Sequence, residues 1–163
     1  MEPRARRDTV SEPKTGVARI CTLLNREGAR SVVVGATAMQ LRGTSRFTRD
    51  IDILIEPTLD TAARVLRALG QLPFGIATEV LPAEVLPRPV TMIGNTTNVD
   101  VLTRAWNLRC DEAQHGIALF DVEGVPIPTA SVAHLIASKQ TGRAQDVADV
   151  QQLQALQRVR GNR

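Results

Sequence analysis

VVVGATAMQLRGTSRFTRDIDILIE, residues 32–56, is the segment around which the rest of the chain is expected to be built. An apolar run ends at Gly35, a short helical segment closes at Gly43, and a polar, basic loop leads into a second strand. This strand is expected to carry Asp50 and Asp52, in alternation with isoleucines. Strand residues two apart point to the same side of a sheet, so the pattern predicts both carboxylates on one face and a core on the other.

The paired acids predict a cation site. Two like charges this close repel and raise each other's pKa unless a cation lies between them, and a divalent metal with oxygen ligands meets that need. We therefore expect Mg²⁺ at Asp50 and Asp52. The competing interpretation is plain solvation, because Asp-x-Asp also occurs on sheet faces that contact water.

Three neighbouring features favour a functional site over solvation. Gly35 ends a buried strand where a helix begins, a place where backbone N–H groups can approach phosphate. Arg46 and Arg49 lie in the loop that leads to the acids. A third acid, Asp100, interrupts an apolar, strand-like run at residues 98–103.

Two short motifs in this stretch resemble a known family. They are the apolar-Gly-small-x-Ala motif around Gly35-Ala36-Thr37-Ala38 and Gly-x-x-Arg-x-Thr-x-Asp-Ile-Asp at residues 43–52. Together they are similar to the DNA polymerase β-like nucleotidyltransferase superfamily, and within it to the bacterial AbiEii-type toxins. The segment from Leu135 to Asp149 is also similar to the closing segment of these enzymes, so the resemblance touches both ends of residues 15–160.

The resemblance implies a fold and an activity. The fold is α/β, a mixed sheet flanked by helices with a C-terminal helical pair. The activity is transfer of a nucleoside monophosphate from an NTP to a hydroxyl, with two Mg²⁺ ions held by the catalytic acids Asp50, Asp52 and Asp100. The nucleotide-binding residues that it implies are Gly35, Ala36, Thr37, Arg46, Lys139 and Arg143.

One residue departs from the family motif. The family pairs Gly-Gly or Gly-Ser, whereas Ala36 follows Gly35 here. The change removes a hydroxyl contact to phosphate and leaves Thr37 as its substitute. A catalytically dead nucleotidyltransferase fold kept for binding is therefore an alternative to the enzyme.

The remaining patterns complete an α/β alternation around the central stretch. They predict a helix at 15–28, with Val17, Ile20, Cys21, Leu23 and Leu24 as its apolar stripe, and a helix at 58–69, with Thr58 as its N-cap. They also predict a short strand around 76–80, strand pairs at 90–93 with 99–103 and 117–122 with 125–127, and two helices across 131–159. The first strand pair can place Asp100 beside the strand of Asp50 and Asp52. In the helix at 58–69, Leu59 is expected to face inward. The second C-terminal helix is expected to turn an apolar stripe inward, made of Val147, Val150, Leu153 and Leu156, with Asp146 and Asp149 on a different side.

Lys139 has two interpretations. It is one of only two lysines in the chain, and the resemblance places it with Arg143 against the triphosphate. The alternative is a solvated lysine near the C-terminus of a helix, where a positive charge is favourable.

Length and composition predict one cytoplasmic domain at residues 15–163 behind a disordered polar tail at residues 1–14. The chain has 163 residues, 43% of them apolar, and no apolar run long enough to span a membrane. Cys21 and Cys110 lack metal-binding spacing, and His115 and His134 lack partners at a useful spacing, so all four are interpreted as structural.

The net charge of the chain indicates which molecule would accept the nucleotide. The net charge is +3, and Arg42, Arg46 and Arg49 lie in or beside the motif, which favours an anionic acceptor such as the tRNA 3′ end over a cationic aminoglycoside. A toxin-like role would add a cognate antitoxin as partner, and protein nucleotidylation is a further alternative. Aromatic residues are only 2%, so RNA contacts are expected to run through phosphate and arginine.

The C-terminal helical pair has a rival interpretation as a helix-turn-helix of a DNA-binding regulator or antitoxin. In that motif the start of the second helix approaches DNA, so Asp146 and Asp149 would lie where phosphates come closest. The acids make this interpretation weaker than the enzyme.

Overall fold

The computed structural model describes residues 11–73, 75–94 and 98–161 of the chain. Of the predicted tail at residues 1–14, residues 1–10 lie outside the described residues. Residues 11–14 belong to no helix or strand.

The described residues form seven α-helices and six strands, and the predicted α/β class is confirmed. The helices are α1 (Gly16–Arg26), α2 (Gly35–Leu41), α3 (Leu59–Leu69), α4 (Pro82–Val85), α5 (Cys110–Ala113), α6 (Val132–Ala137) and α7 (Ala144–Gly161). The strands are β1 (Ser31–Val34), β2 (Ile51–Ile55), β3 (Val90–Ile93), β4 (Val99–Leu102), β5 (Ala118–Val122) and β6 (Val125–Thr129).

The six strands form one mixed sheet in the order β3-β4-β2-β1-β6-β5. The β2–β4 and β1–β6 pairs are parallel, and the β1–β2, β3–β4 and β5–β6 pairs are antiparallel. Both predicted strand pairs are confirmed, although residues 95–97 of the first connection lie outside the described residues. The α/β architecture with a mixed sheet, flanking helices and a C-terminal helical pair is therefore confirmed.

The core lies against the two central strands, β1 and β2, and the predicted helical stripes cover it. Every residue of β1 is buried. Helix α1 buries its predicted apolar stripe and packs against α3 and β6. The Thr58 hydroxyl accepts the N–H of Thr61 and so caps α3 at the predicted position. The largest fully buried side chains are Ile20, Leu24, Met39, Ile53, Leu54, Ile55, Leu69, Ile93, Leu108, Ile127, Leu135 and Leu153.

Two local predictions are wrong. The expected strand at 76–80 is a 3₁₀ helix, Ile76–Glu79, which follows Gly75 in the left-handed region (φ 54°) and in which the Thr78 hydroxyl donates to the Gly75 carbonyl. Leu59 is 57% exposed because it is the first residue of α3 and stands before the buried stripe begins at Thr61.

The inward face of α7 also differs from the prediction. Val147 is 46% exposed, whereas Asp146 and Asp149 are buried together with Leu153. The helix turns acids inward because cationic side chains receive them there, an arrangement that a local apolar pattern does not reveal.

No helix among the described residues is long and apolar enough to cross a membrane.

Candidate active site

Two of the three predicted acids lie side by side. The parallel register of β2 and β4 places Asp52 directly opposite Asp100. Burial raises the pKa of Asp52 to about 7, and the charge and hydrogen bond of Asp100 add to the shift, against a smaller opposing effect of Lys139. Burial also raises the pKa of Asp100, whose Oδ1 is buried without a hydrogen-bond partner. The two carboxyl groups thus share a hydrogen bond in a partly desolvated place and resist ionising together.

Gly35 permits the main chain to touch this acid pair. Val34 is the register partner of Asp52, so β1 ends beside the carboxylate, and Gly35 follows with a positive φ of 65°. A Cβ atom at Gly35 would lie 1.9 Å from Asp52 Oδ2. Both its conformation and its lack of a side chain are therefore required here.

Asp50 lies at the edge of this arrangement. It precedes β2, which begins at Ile51, and it is exposed, so the prediction that the strand carries both acids holds only for Asp52. Its carbonyl accepts the Thr37 hydroxyl at 3.1 Å, and its Oδ1 accepts the Asn98 amide at 3.3 Å. Within the described ranges, no three His, Cys, Asp or Glu side chains are gathered as ready ligands of a metal ion.

The Thr37 hydroxyl therefore has an internal partner. Thr37 is buried, and its hydroxyl bonds to the Asp50 carbonyl, which ties α2 to the loop before β2. Ala36, near the start of α2, is partly buried. The predicted substitution of Thr37 for the missing phosphate-binding hydroxyl would require this hydrogen bond to break.

A cleft of about 730 Å³ opens beside Asp52. This volume lies in the range of roughly 300–1,000 Å³ that small-molecule sites occupy. Gly35 and Asp52 line one part of it, and three cationic side chains line it as well, namely Arg104, Lys139 and Arg143. Of the predicted site residues, the structure therefore brings Gly35, Asp52, Lys139 and Arg143 to one cleft.

Lys139 is held in a buried ion network at the wall of the cleft. Its Nζ lies 2.8 Å from Asp149 Oδ2 and 3.6 Å from Asp146 Oδ1, and its side chain is only 11% exposed. The interpretation of Lys139 as a solvated lysine is therefore wrong. Arg46 Nε lies 3.2 Å from Asp149 Oδ1 as an ion pair without hydrogen-bond geometry.

Asp146 is stabilised as a carboxylate by its own set of partners. Burial acts to raise its pKa, but hydrogen bonds from Thr141 and Arg143 and the charge of Lys139 outweigh burial, so the pKa is lowered. Arg143 Nε lies 2.7 Å from Asp146 Oδ2. The network thus joins three predicted nucleotide-binding cations, Arg46, Lys139 and Arg143, through two acids of α7.

Two residues of the cleft that carry a cation or an aromatic ring were absent from the sequence predictions. Arg104 and Trp106 follow β4 in an irregular segment, where neither strand nor helix periodicity indicates which way a side chain points. The one available signal was that Trp106 is the sole tryptophan of a chain without tyrosine.

No protein-family model matches this chain, and no curated protein matches it significantly. The chemistry of the cleft therefore carries the functional argument.

Neutralising Asp52 should stabilise the metal-free protein more at high pH than at low pH. A folded-state pKa near 7, against an ordinary value of 3.8, means that the folded protein holds a proton that the unfolded chain releases, so Asp52 lowers stability as pH rises from about 4 to 7. In EDTA, the free energy of unfolding of Asp52→Asn should exceed that of the wild type. This difference should be larger at pH 8 than at pH 5 by on the order of 1–3 kcal/mol. Urea unfolding with exposed Glu79→Gln as control measures this, and a pH-independent difference would contradict the shared-proton description.

Adding one methyl group at Gly35 should lower the free energy of unfolding by more than the positive φ of this residue explains. Gly124 also has a positive φ, 78°, but a Cβ there meets nothing within 4 Å. Gly124→Ala should thus lose only the roughly 1–2 kcal/mol of a left-handed alanine, and Gly35→Ala should lose clearly more. In an Asp52→Ala background the excess at Gly35 should shrink, and additive losses in this double-mutant cycle would show that the carboxylate is not the obstacle.

Removing Lys139 should destabilise the fold. Asp149 is fully buried and, among the described residues, would keep only Arg46 and Gln145 as partners. We therefore expect Lys139→Ala to lose on the order of 1–3 kcal/mol of stability, less than the ~3–5 kcal/mol of a wholly unpaired buried charge. Arg143 is 77% exposed, and Arg143→Ala should lose under about 1 kcal/mol. Equal losses in urea unfolding would contradict a special structural role for Lys139.

Proposed function

We propose that this chain is a nucleotidyltransferase with a polymerase β-like fold, which transfers a nucleoside monophosphate from an NTP to a hydroxyl and releases pyrophosphate. The observation that carries the proposal is Asp52, which lies beside Asp100 and against the backbone of Gly35, at a cleft that cationic side chains also line. Paired acids serve metal-assisted phosphoryl chemistry, and cations and backbone N–H groups serve phosphate binding.

The acid pair fits a divalent cation by its own chemistry. The raised pKa of Asp52, its hydrogen bond to Asp100 and the unpartnered Asp100 Oδ1 would all be relieved by a positive charge between the carboxylates. Asp52 and Asp100 would hold Mg²⁺, with Asp50 as a further ligand from the adjoining loop. Bound Mg²⁺ would offset phosphate charge and lower the pKa of the attacking hydroxyl.

The side chains of the protein have separate tasks in this proposal. Lys139 and Arg143 bind the outer phosphates, and the ion network of α7 keeps their charges at the cleft wall. Gly35 lets the main chain approach phosphate without a side chain in the way. Asp100, which lies beside Asp52 on β4, would help to take the proton from the attacking hydroxyl.

We propose RNA, such as the tRNA 3′ end, as the acceptor, in a toxin-like role that a cognate antitoxin would restrain. The cations Arg104, Lys139 and Arg143 line the cleft and would repel a cationic aminoglycoside. Arg42 does not contribute to this argument, because its guanidinium donates to the carbonyls of Thr129 and Ala130.

A second candidate is nucleotide binding without transfer. The engaged Thr37 hydroxyl favours it, because neither Ala36 nor Thr37 then offers a free hydroxyl to the phosphates. The helix-turn-helix regulator has less support, since Asp146 and Asp149 tie the first turns of α7 to Lys139 inside the protein.

The acids should be essential for transfer and dispensable for folding. We expect wild-type protein with labelled NTPs, Mg²⁺ and total cellular RNA to label RNA, and Asp52→Asn and Asp100→Asn to lose at least about a hundredfold in rate. Asp50→Asn tests the third acid, and exposed Asp111→Asn is the matched control. Wild-type rates in all three site variants would refute the metal-site assignment, and label on protein or an added aminoglycoside with none on RNA would refute the acceptor.

Calorimetric titration separates the two candidates. NTP binding with Mg²⁺ but without any turnover would favour the binding protein, and the absence of NTP binding would refute both.

A further inference from the structure

Trp106 has an unusual backbone conformation. Ala105 and Leu108 exchange two backbone hydrogen bonds of 2.9 Å, so Trp106 and Asn107 form the two-residue turn between them. The φ of Trp106 is +55°, and among the described non-glycine residues only Trp106 and Glu123 have positive φ. A bulky aromatic residue pays a steric cost in this region, and such strain is typical of functional sites.

Packing does not account for the indole ring. Ala105 and Leu108 are buried, which anchors the turn, but Trp106 itself is 50% exposed. Trp106 lines the cleft that Asp52 also lines, and it lines a neighbouring hollow of about 520 Å³ as well. Trp106 therefore lies between two solvent-accessible cavities, on a turn that buried neighbours anchor.

We propose that the indole of Trp106 stacks on the nucleobase of the NTP, an inference that rests on the proposed function. Among the described residues that line the cleft, Trp106 is the only aromatic one, and charged groups such as Asp52, Lys139 and Arg143 line it as well. An NTP has the same two-part character, with a charged triphosphate and a planar base. One cleft of about 730 Å³ accommodates both parts of a single nucleotide.

Stacking on Trp106 should not by itself select one nucleobase over another. Stacking on an aromatic ring tolerates every base, because each base has a π-face. The ring should therefore contribute similarly to the binding of ATP and of GTP. Any preference between them would come from polar groups and would survive loss of the ring.

The decisive experiment compares ATP with inorganic tripolyphosphate, which has the phosphates but no base. Calorimetric titrations in Mg²⁺ would use wild type, Trp106→Gly, Trp106→Phe and the control Leu119→Ala, an exposed apolar residue on β5. Glycine suits the positive φ, so the first variant removes the ring without backbone strain. Trp106→Gly should bind ATP roughly five- to a hundredfold more weakly and tripolyphosphate with unchanged affinity, whereas Trp106→Phe should retain most of the ATP affinity.

Fluorescence gives an independent readout, because Trp106 is the only tryptophan and the chain has no tyrosine. ATP should change the indole emission of the wild type, and tripolyphosphate should leave it nearly unchanged. Unaltered ATP affinity in Trp106→Gly would overturn the inference, as would equal losses for ATP and tripolyphosphate or a loss confined to acceptor RNA. If wild type binds no NTP at all, the proposed function fails, and this inference fails with it.

Discussion

The parallel register between β2 and β4 is the constraint on which the site depends, because it sets the Asp52 and Asp100 carboxyls side by side. Two acids in a partly desolvated place destabilise each other, and the protein meets that cost by a shared hydrogen bond and by the charge of Lys139. Gly35 completes the arrangement, since a residue with a side chain would collide with Asp52. The buried strands β1 and β2 hold this strained geometry in place, because their register cannot slip without exposing the core.

Charge balance then explains why the C-terminal helices pack as they do. A helix that turns Asp146 and Asp149 inward would be unstable without partners, since an unpaired buried carboxylate is costly. Lys139 bonds to Asp149 from the end of α6, and Arg46 approaches the same acid from the loop before β2. The ion network consequently ties α6 and α7 to the loop that carries Asp50 and leads into β2. Its three cations exceed its two acids in charge, which leaves a net positive wall near the cleft.

Most of the fold could be predicted because its elements have clear periodicity and caps, as at the α1 stripe, the Thr58 cap and the two strand pairs. The position of Asp100 beside Asp52 followed from the same reasoning, since a strand pair returning to the sheet brings its acid to the central strands. The inward acids of α7 could not be predicted, because their partners Lys139 and Arg46 are remote in sequence from any local pattern. Asp50 falls outside β2 for a similar reason, since hydrogen bonds with Thr37, Thr48 and Asn98 hold it in the loop.

Three unfavourable features of this protein lie at or beside one cleft, and their proximity is an argument for function. The raised pKa of Asp52, the unpartnered Oδ1 of Asp100 and the strained φ of Trp106 are separate costs with separate causes. Folding alone would favour their removal, for example by an amide at position 52 or a glycine at position 106. A ligand that offsets these three costs would explain why they occur next to one another. A cation between the acids and a planar base on the indole would offset all three, and both belong to a single metal-bound nucleotide.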